Sequence, residues 1–103
     1  GRLDEARRVF ESVVAAAPAR PEPKLSLAIL DLEQGRLQQA AGRLKQIPAT
    51  WSGSYRVQFY LGEVYRGLDD SAEARNAYRK CLSTAPVDDP ITIAAHTALA
   101  ELR

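Results

Sequence analysis

The sequence predicts an all-α fold of helical hairpins repeated along the chain, and three observations carry that prediction. A pattern of small and apolar residues returns every 34 positions, apolar residues within it recur at spacings of three and four, and proline or glycine punctuates each segment. The clearest instance is Leu61-Gly62-Glu63-Val64-Tyr65, followed by Ala74, Tyr78, Cys81 and Pro86. Gly62 is small enough for a second helix to approach closely, Ala74 is that helix's matching small residue, and Tyr78 fills the space beside them. One period earlier stand Leu27, Ala28, Ala40, Leu44 and Ile47, and a further period back stand Ala6, Phe10 and Val13.

A period of 34 with this small-residue pairing is similar to that of the tetratricopeptide repeat, and the whole chain resembles a piece of a tetratricopeptide-repeat protein. The resemblance implies a right-handed α-solenoid of antiparallel helix pairs, about six helices here, each pair burying its apolar face only against its neighbours. The divisions expected are the second helix of a truncated repeat over residues 1–18, full repeats over 21–52 and 53–86, and over 88–103 the first helix of a following repeat or cap.

The segments follow in order. Gly1-Arg2-Leu3-Asp4-Glu5-Ala6 matches Gly35-Arg36-Leu37-Gln38-Gln39-Ala40, and Leu3, Ala6, Val9, Phe10, Val13 and Val14 form one helical face that Pro18 ends. The chain opens in mid-pattern, so it is expected to be cut from a longer array. Pro21 and Pro23 suit a first helical turn, where the missing N–H is unpaired anyway. Lys24 to Gln34 then reads as a helix apolar on most sides, hence buried on most sides, with Gly35 as its left-handed stop. Leu37, Ala40, Leu44 and Ile47 stripe the next helix, which Pro48 closes early. Trp51 stands alone in a loop, either as an exposed aromatic contact or as a ring folded over neighbouring helix ends. Tyr55 to about Gly67 and a helix capped by Asp70, with Glu73 three residues on, make the next pair. Asp89-Pro90 restarts a helix. His96, which falls one period after Gly62, is too large for a small-residue slot, so this last helix is expected to be one turn longer at its start and shifted to put Leu99-Ala100 where Leu61-Gly62 stood.

Composition narrows the function classes. The chain is 46% hydrophobic and 26% charged, as in folded globular chains. No apolar run approaches the roughly 18 residues of a membrane span, which points away from direct membrane insertion. A formal charge of +1 supplies no field for nucleic acid or anionic lipid. Lysine supplies only Lys24, Lys45 and Lys80 among 14 basic residues, a usage that with abundant alanine suggests a GC-rich bacterial gene. The single cysteine leaves the redox compartment open, and periplasm and cytoplasm are both compatible with the sequence. His96 and Cys81 are solitary, so no metal-ligand set forms. No base marks a nucleophile, and no glycine-rich phosphate loop is present. No catalytic residue, metal or cofactor is therefore expected, and Cys81, at a periodic core position, is read as buried and inert.

What remains is binding. First helices of successive tetratricopeptide repeats line a concave groove that holds extended or helical partner segments. Carried over by position, that implies a partner-binding stripe of Arg56, Phe59, Tyr60, Glu63 and Arg66, extended by Leu25, Ile29 and Leu32. Arginine and aromatic residues are favoured at interface hot spots. The clamp that grips a C-terminal carboxylate in chaperone-binding members is not expected, since Leu25, Ser26 and Ile29 stand at its places. The ligand expected is an amphipathic or apolar segment of a protein or peptide partner, with an acidic group meeting Arg56 or Arg66. The reading is a non-catalytic protein–protein interaction scaffold. The alternative is a set of spacer or self-assembly repeats in a bacterial envelope protein for exopolysaccharide export or pilus assembly. Apolar faces at Phe10 and Leu99 also make end-to-end self-association of the chain an expectation.

Overall fold

Prolines, aspartates and two left-handed residues set the helix ends. In the computed structural model, which describes residues 1–102, the chain forms α1 (Arg2–Ala16), α2 (Pro21–Glu33), α3 (Leu37–Lys45), α4 (Ser54–Gly67), α5 (Ser71–Thr84) and α6 (Pro90–Glu101), with no strand among the described residues. Pro21 and Pro90 open their helices where an N–H would be unpaired. Asp70 accepts from the Glu73 amide at 3.2 Å and Asp89 from the Ile91 amide at 2.9 Å, so both aspartates act as N-caps. The stop after α2 uses Gly35 at φ +75°, with the Arg36 amide donating back to the Asp31 carbonyl at 2.8 Å. One period on, Asp69 takes φ +60° and the Asp70 amide donates to the Tyr65 carbonyl at 2.9 Å. The same turn is thus built once with glycine and once with aspartate, one of the few side chains that tolerates this region.

The helices fall into two compact units, Gly1–Trp51 and the part from Ser52 onward. In the first, α2 lies between α1 and α3. Leu25, Leu27, Ala28, Leu30, Ala40, Ala41, Leu44 and Ile47 are buried, which is the apolar character that α2 shows in the sequence. One charge lies among them. Asp31 is fully buried and is held by Arg7 of α1 at 2.7 Å and by Arg43 of α3 at 2.7 Å. Arg7 also donates to Gln34 at 2.5 Å. A carboxylate that has lost its hydration is stable only when paired and hydrogen-bonded, and here the pairing ties three helices together.

In the second unit α4 and α5 form an antiparallel pair, and α6 packs on α5 and touches α4. Its core is Tyr55, Ala74, Tyr78, Cys81, Ala95 and Ala98, with Phe59, Tyr65, Leu82 and Leu99 packed around it. The close approach read from Gly62 is present: a Cβ there would come within 2.5 Å of the Tyr78 ring.

Helix α6 departs from expectation. It starts at Pro90, two residues later than one period after the start of α4 at Ser54, so there is no added turn at its start. Nor is the register shifted. Leu27, Leu61 and Ala95 are all buried at successive periods, as are Leu30, Val64 and Ala98. The strict period therefore continues through α6, and Ala100, expected in the small-residue slot, is exposed. His96 fits because no later helix among the described residues covers it, and its side chain lies exposed.

Cys81 is fully buried and its thiol is pushed up to about 11, first by burial and then by the negative charge of Asp89. A thiol-disulfide reagent at pH 8 should accordingly label the native chain at least about a hundredfold more slowly than the urea-unfolded chain. Equal rates in the two states would place the sulfur at the surface.

Candidate partner-binding surface

Helix α4 presents Arg56, Tyr60 and Glu63 at spacings of four and three, with Phe59 and Arg66 flanking them, so local helical geometry alone aligns the expected stripe. The structure gives these side chains different roles. Arg56 is exposed. Its Nε donates to the Tyr55 hydroxyl at 3.2 Å and its guanidinium lies 5.5 Å from the centre of the Tyr55 ring. The Tyr55 hydroxyl in turn donates to Asp89 at 2.7 Å. Arg56 forms no ion pair within 4 Å among the described residues, so an aromatic side chain holds its charge in place and leaves it open to an incoming carboxylate.

Phe59 is partly buried against the core, 5.9 Å from the Tyr78 ring centre, and meets Tyr60 edge-on at 5.2 Å and 81°. Tyr60 is half-buried. The two rings form a continuous aromatic step rising from the core to the surface. Glu63 accepts from the Tyr78 hydroxyl at 2.6 Å. Burial, reinforced by that carboxylate, pushes the Tyr78 phenol well above its usual range, so the proton stays on Tyr78 and the hydrogen bond points outward to Glu63. Arg66 is engaged by Glu101 of α6. A ligand acid would have to compete there with a carboxylate already in place, which makes Arg56 the more available cation.

The three candidates in the first unit also differ from one another, and Leu32 is half-buried. Leu25 is only 6% exposed and offers almost no surface. Ile29 is half-buried and lines a cleft with Phe10, Ser26, Leu30 and Glu33. Trp51 is half-buried, between the two alternatives its sequence position left open.

Sequence reasoning passed over the residues that brace α4. Tyr55 and Asp89 stand one period apart, and Arg66 and Glu101 nearly so, so each bond joins one first helix to the next. A polar pair recurring at the repeat spacing was the available signal. The Asp89 carboxyl is held below its ordinary range, first by the Ile91 amide and then by the Tyr55 hydroxyl. A depressed carboxylate contributes stability that is complete above its unfolded value, near pH 4, and is lost as pH falls through its lower folded value. Amide protection at the start of α6, taken relative to the intrinsic exchange rate at each pH, should therefore hold down to about pH 4 and fall below it. Tyr55→Phe should shrink that loss and raise the pH at which it is complete; an unchanged loss would mean that the tyrosine does not hold Asp89.

Two family models, both described as tetratricopeptide repeat, match the chain over residues 1–50 and 55–88. A comparison with curated proteins finds no significant match.

Proposed function

Because the chain belongs to the tetratricopeptide-repeat family, whose repeats generally mediate protein–protein interaction and typically act as non-catalytic scaffolds, we propose that it binds a partner segment along α4, in the groove its first helices contribute to, with no chemistry of its own. The observation that carries this reading is the exposed Arg56 guanidinium, fixed by Tyr55 and in no ion pair within 4 Å among the described residues, beside the Phe59–Tyr60 step. A preorganised cation next to aromatic surface suits an amphipathic segment that places a carboxylate at Arg56 and an apolar side chain over the rings. Glu63 and Arg66 flank the contact from their bonds to Tyr78 and Glu101.

The test is crosslinking capture from source-cell extract, with soluble and envelope fractions separated. Wild type is run beside Arg56→Glu/Tyr60→Ala, and circular dichroism confirms that both are folded. A protein held by wild type and lost with the double variant is the expected result. Equal capture by both would place the interface away from α4, and capture by neither would favour spacer or self-assembly repeats.

A further inference from the structure

Helix α5 buries Ala74, Ala77, Tyr78 and Cys81 along one side, and its other side concentrates positive charge. Arg75 is half-buried, Arg79 and Lys80 are exposed, and the exposed side chains around them, Ala72, Asn76 and Ser83, are small. Both α4 and α6 pack on α5, so Arg79 and Lys80 stay exposed with both neighbouring helices in place.

This charge has no compensation within the chain. Arg75 and Arg79 are four residues apart, a spacing at which like charges weaken a helix. No acidic residue stands three or four positions from any of the three cations, and none of them takes part in the ion pairs among the described residues. By contrast, Arg8 of α1 has Asp4, Glu5 and Glu11 at those spacings, and Arg66 has Glu101. Nor does the repeat require the charge. The same places hold Ala41, Lys45 and Gln46 one period earlier, and Arg7, Glu11 and Ser12 two periods earlier.

We propose that this face of α5 docks an acidic segment of a protein partner, which sets two carboxylates against Arg75 and Arg79 with Lys80 beside them. Charge complementarity specifies the occupant, and a bound carboxylate pair would relieve the repulsion between the two arginines. They lie about 6 Å apart along the helix, close to the roughly 6.6 Å between alternate side chains on one face of an extended segment. Asp69, Asp70 and Glu73 stand at the start of the same helix. A nucleic-acid backbone or an anionic bilayer, whose charge continues past three cations, would meet those carboxylates as well. The face shares no residue with the Arg56 surface and does not depend on it.

The probe is fluorescein-labelled hexaglutamate, with hexaglutamine as the neutral control. It is titrated with the full chain at about 20 mM salt, where screening is weak, and read by anisotropy. Saturable one-to-one binding of hexaglutamate is expected. Arg75→Gln/Arg79→Gln should weaken it at least about fivefold. Arg2→Gln/Arg8→Gln removes the same net charge from α1 and should change it less than about twofold. Circular dichroism should show both variants folded, with the α5 variant no less stable to heat than wild type, because a repulsion has been removed. Equal losses from the two pairs would reduce the effect to net charge and overturn the assignment. So would failure to saturate at millimolar peptide, equal binding of hexaglutamine, or tighter binding to oligothymidylate or to phosphatidylserine vesicles.

Discussion

Asp31→Ala destabilises the first unit by about 3–5 kcal/mol, the range seen when one member of a buried ion network is removed. The carboxylate is fully buried between Arg7, whose side chain is 12% exposed, and Arg43, at 32%. Alanine leaves the more deeply buried guanidinium without a counter-charge and opens a small void between α1, α2 and α3. The cost comes mainly from the orphaned charge, so removing all three charges together has a different outcome. Arg7→Met/Asp31→Leu/Arg43→Met should lie within about 1–2 kcal/mol of wild type or above it, since apolar replacements of buried pairs are often neutral or stabilising. The chain already supplies a version of that replacement: one period after Asp31 and Arg43 stand Tyr65 and Ala77. Amide exchange locates the effect. Protection in α1–α3 should fall by roughly two to four powers of ten in Asp31→Ala, with α5 unchanged. A loss below about 1 kcal/mol would mean that water reaches the arginines and that the network is not a dry one.

This network also marks the limit of what could be read from the residues alone. Repetition made Gly62, Ala74, Tyr78 and Cys81 legible as core, because each has apolar counterparts one or two periods away. Asp31 has no such counterpart; it interrupts an otherwise apolar helix, and only the positions of Arg7 and Arg43 in space make it a hub. Helix α6 departs from expectation for a related reason. His96 is large where the period calls for a small residue, but a position is a small-residue slot only where a second helix presses on it, and that pressure depends on the neighbour. For the candidate surface, helical spacing was enough to align Arg56, Tyr60 and Glu63 on α4. Spacing could not show that Glu101 occupies Arg66, that Tyr78 occupies Glu63, or that Leu25 is buried, because each of these depends on contacts outside its own helix.

Where the neighbour does press, the effect is large and should transfer as a pair. Tyr78 is fully buried, its ring lies against Gly62 and its hydroxyl donates to Glu63. Tyr78→Ala should cost about 3–5 kcal/mol from lost burial and a partly uncollapsed cavity. Gly62→Ala acts from the other side. Alanine gains up to about 1 kcal/mol of helix propensity, but its methyl would come within 2.5 Å of a ring that is packed on its far side. Ring displacement costs about 1–3 kcal/mol, so a net loss is expected. The first unit shows how the conflict is relieved, since Ala28 and Leu44 hold the equivalent places one period earlier. Tyr78→Leu alone loses ring contacts and the bond to Glu63, yet it vacates the space that the alanine methyl needs. Gly62→Ala/Tyr78→Leu should therefore be more stable than the sum of the two single changes by about 1 kcal/mol or more, measured by urea denaturation followed through far-ultraviolet circular dichroism. Additive losses would mean that the ring moves freely away from the helix, and that Gly62 is present for some reason other than the approach of Tyr78.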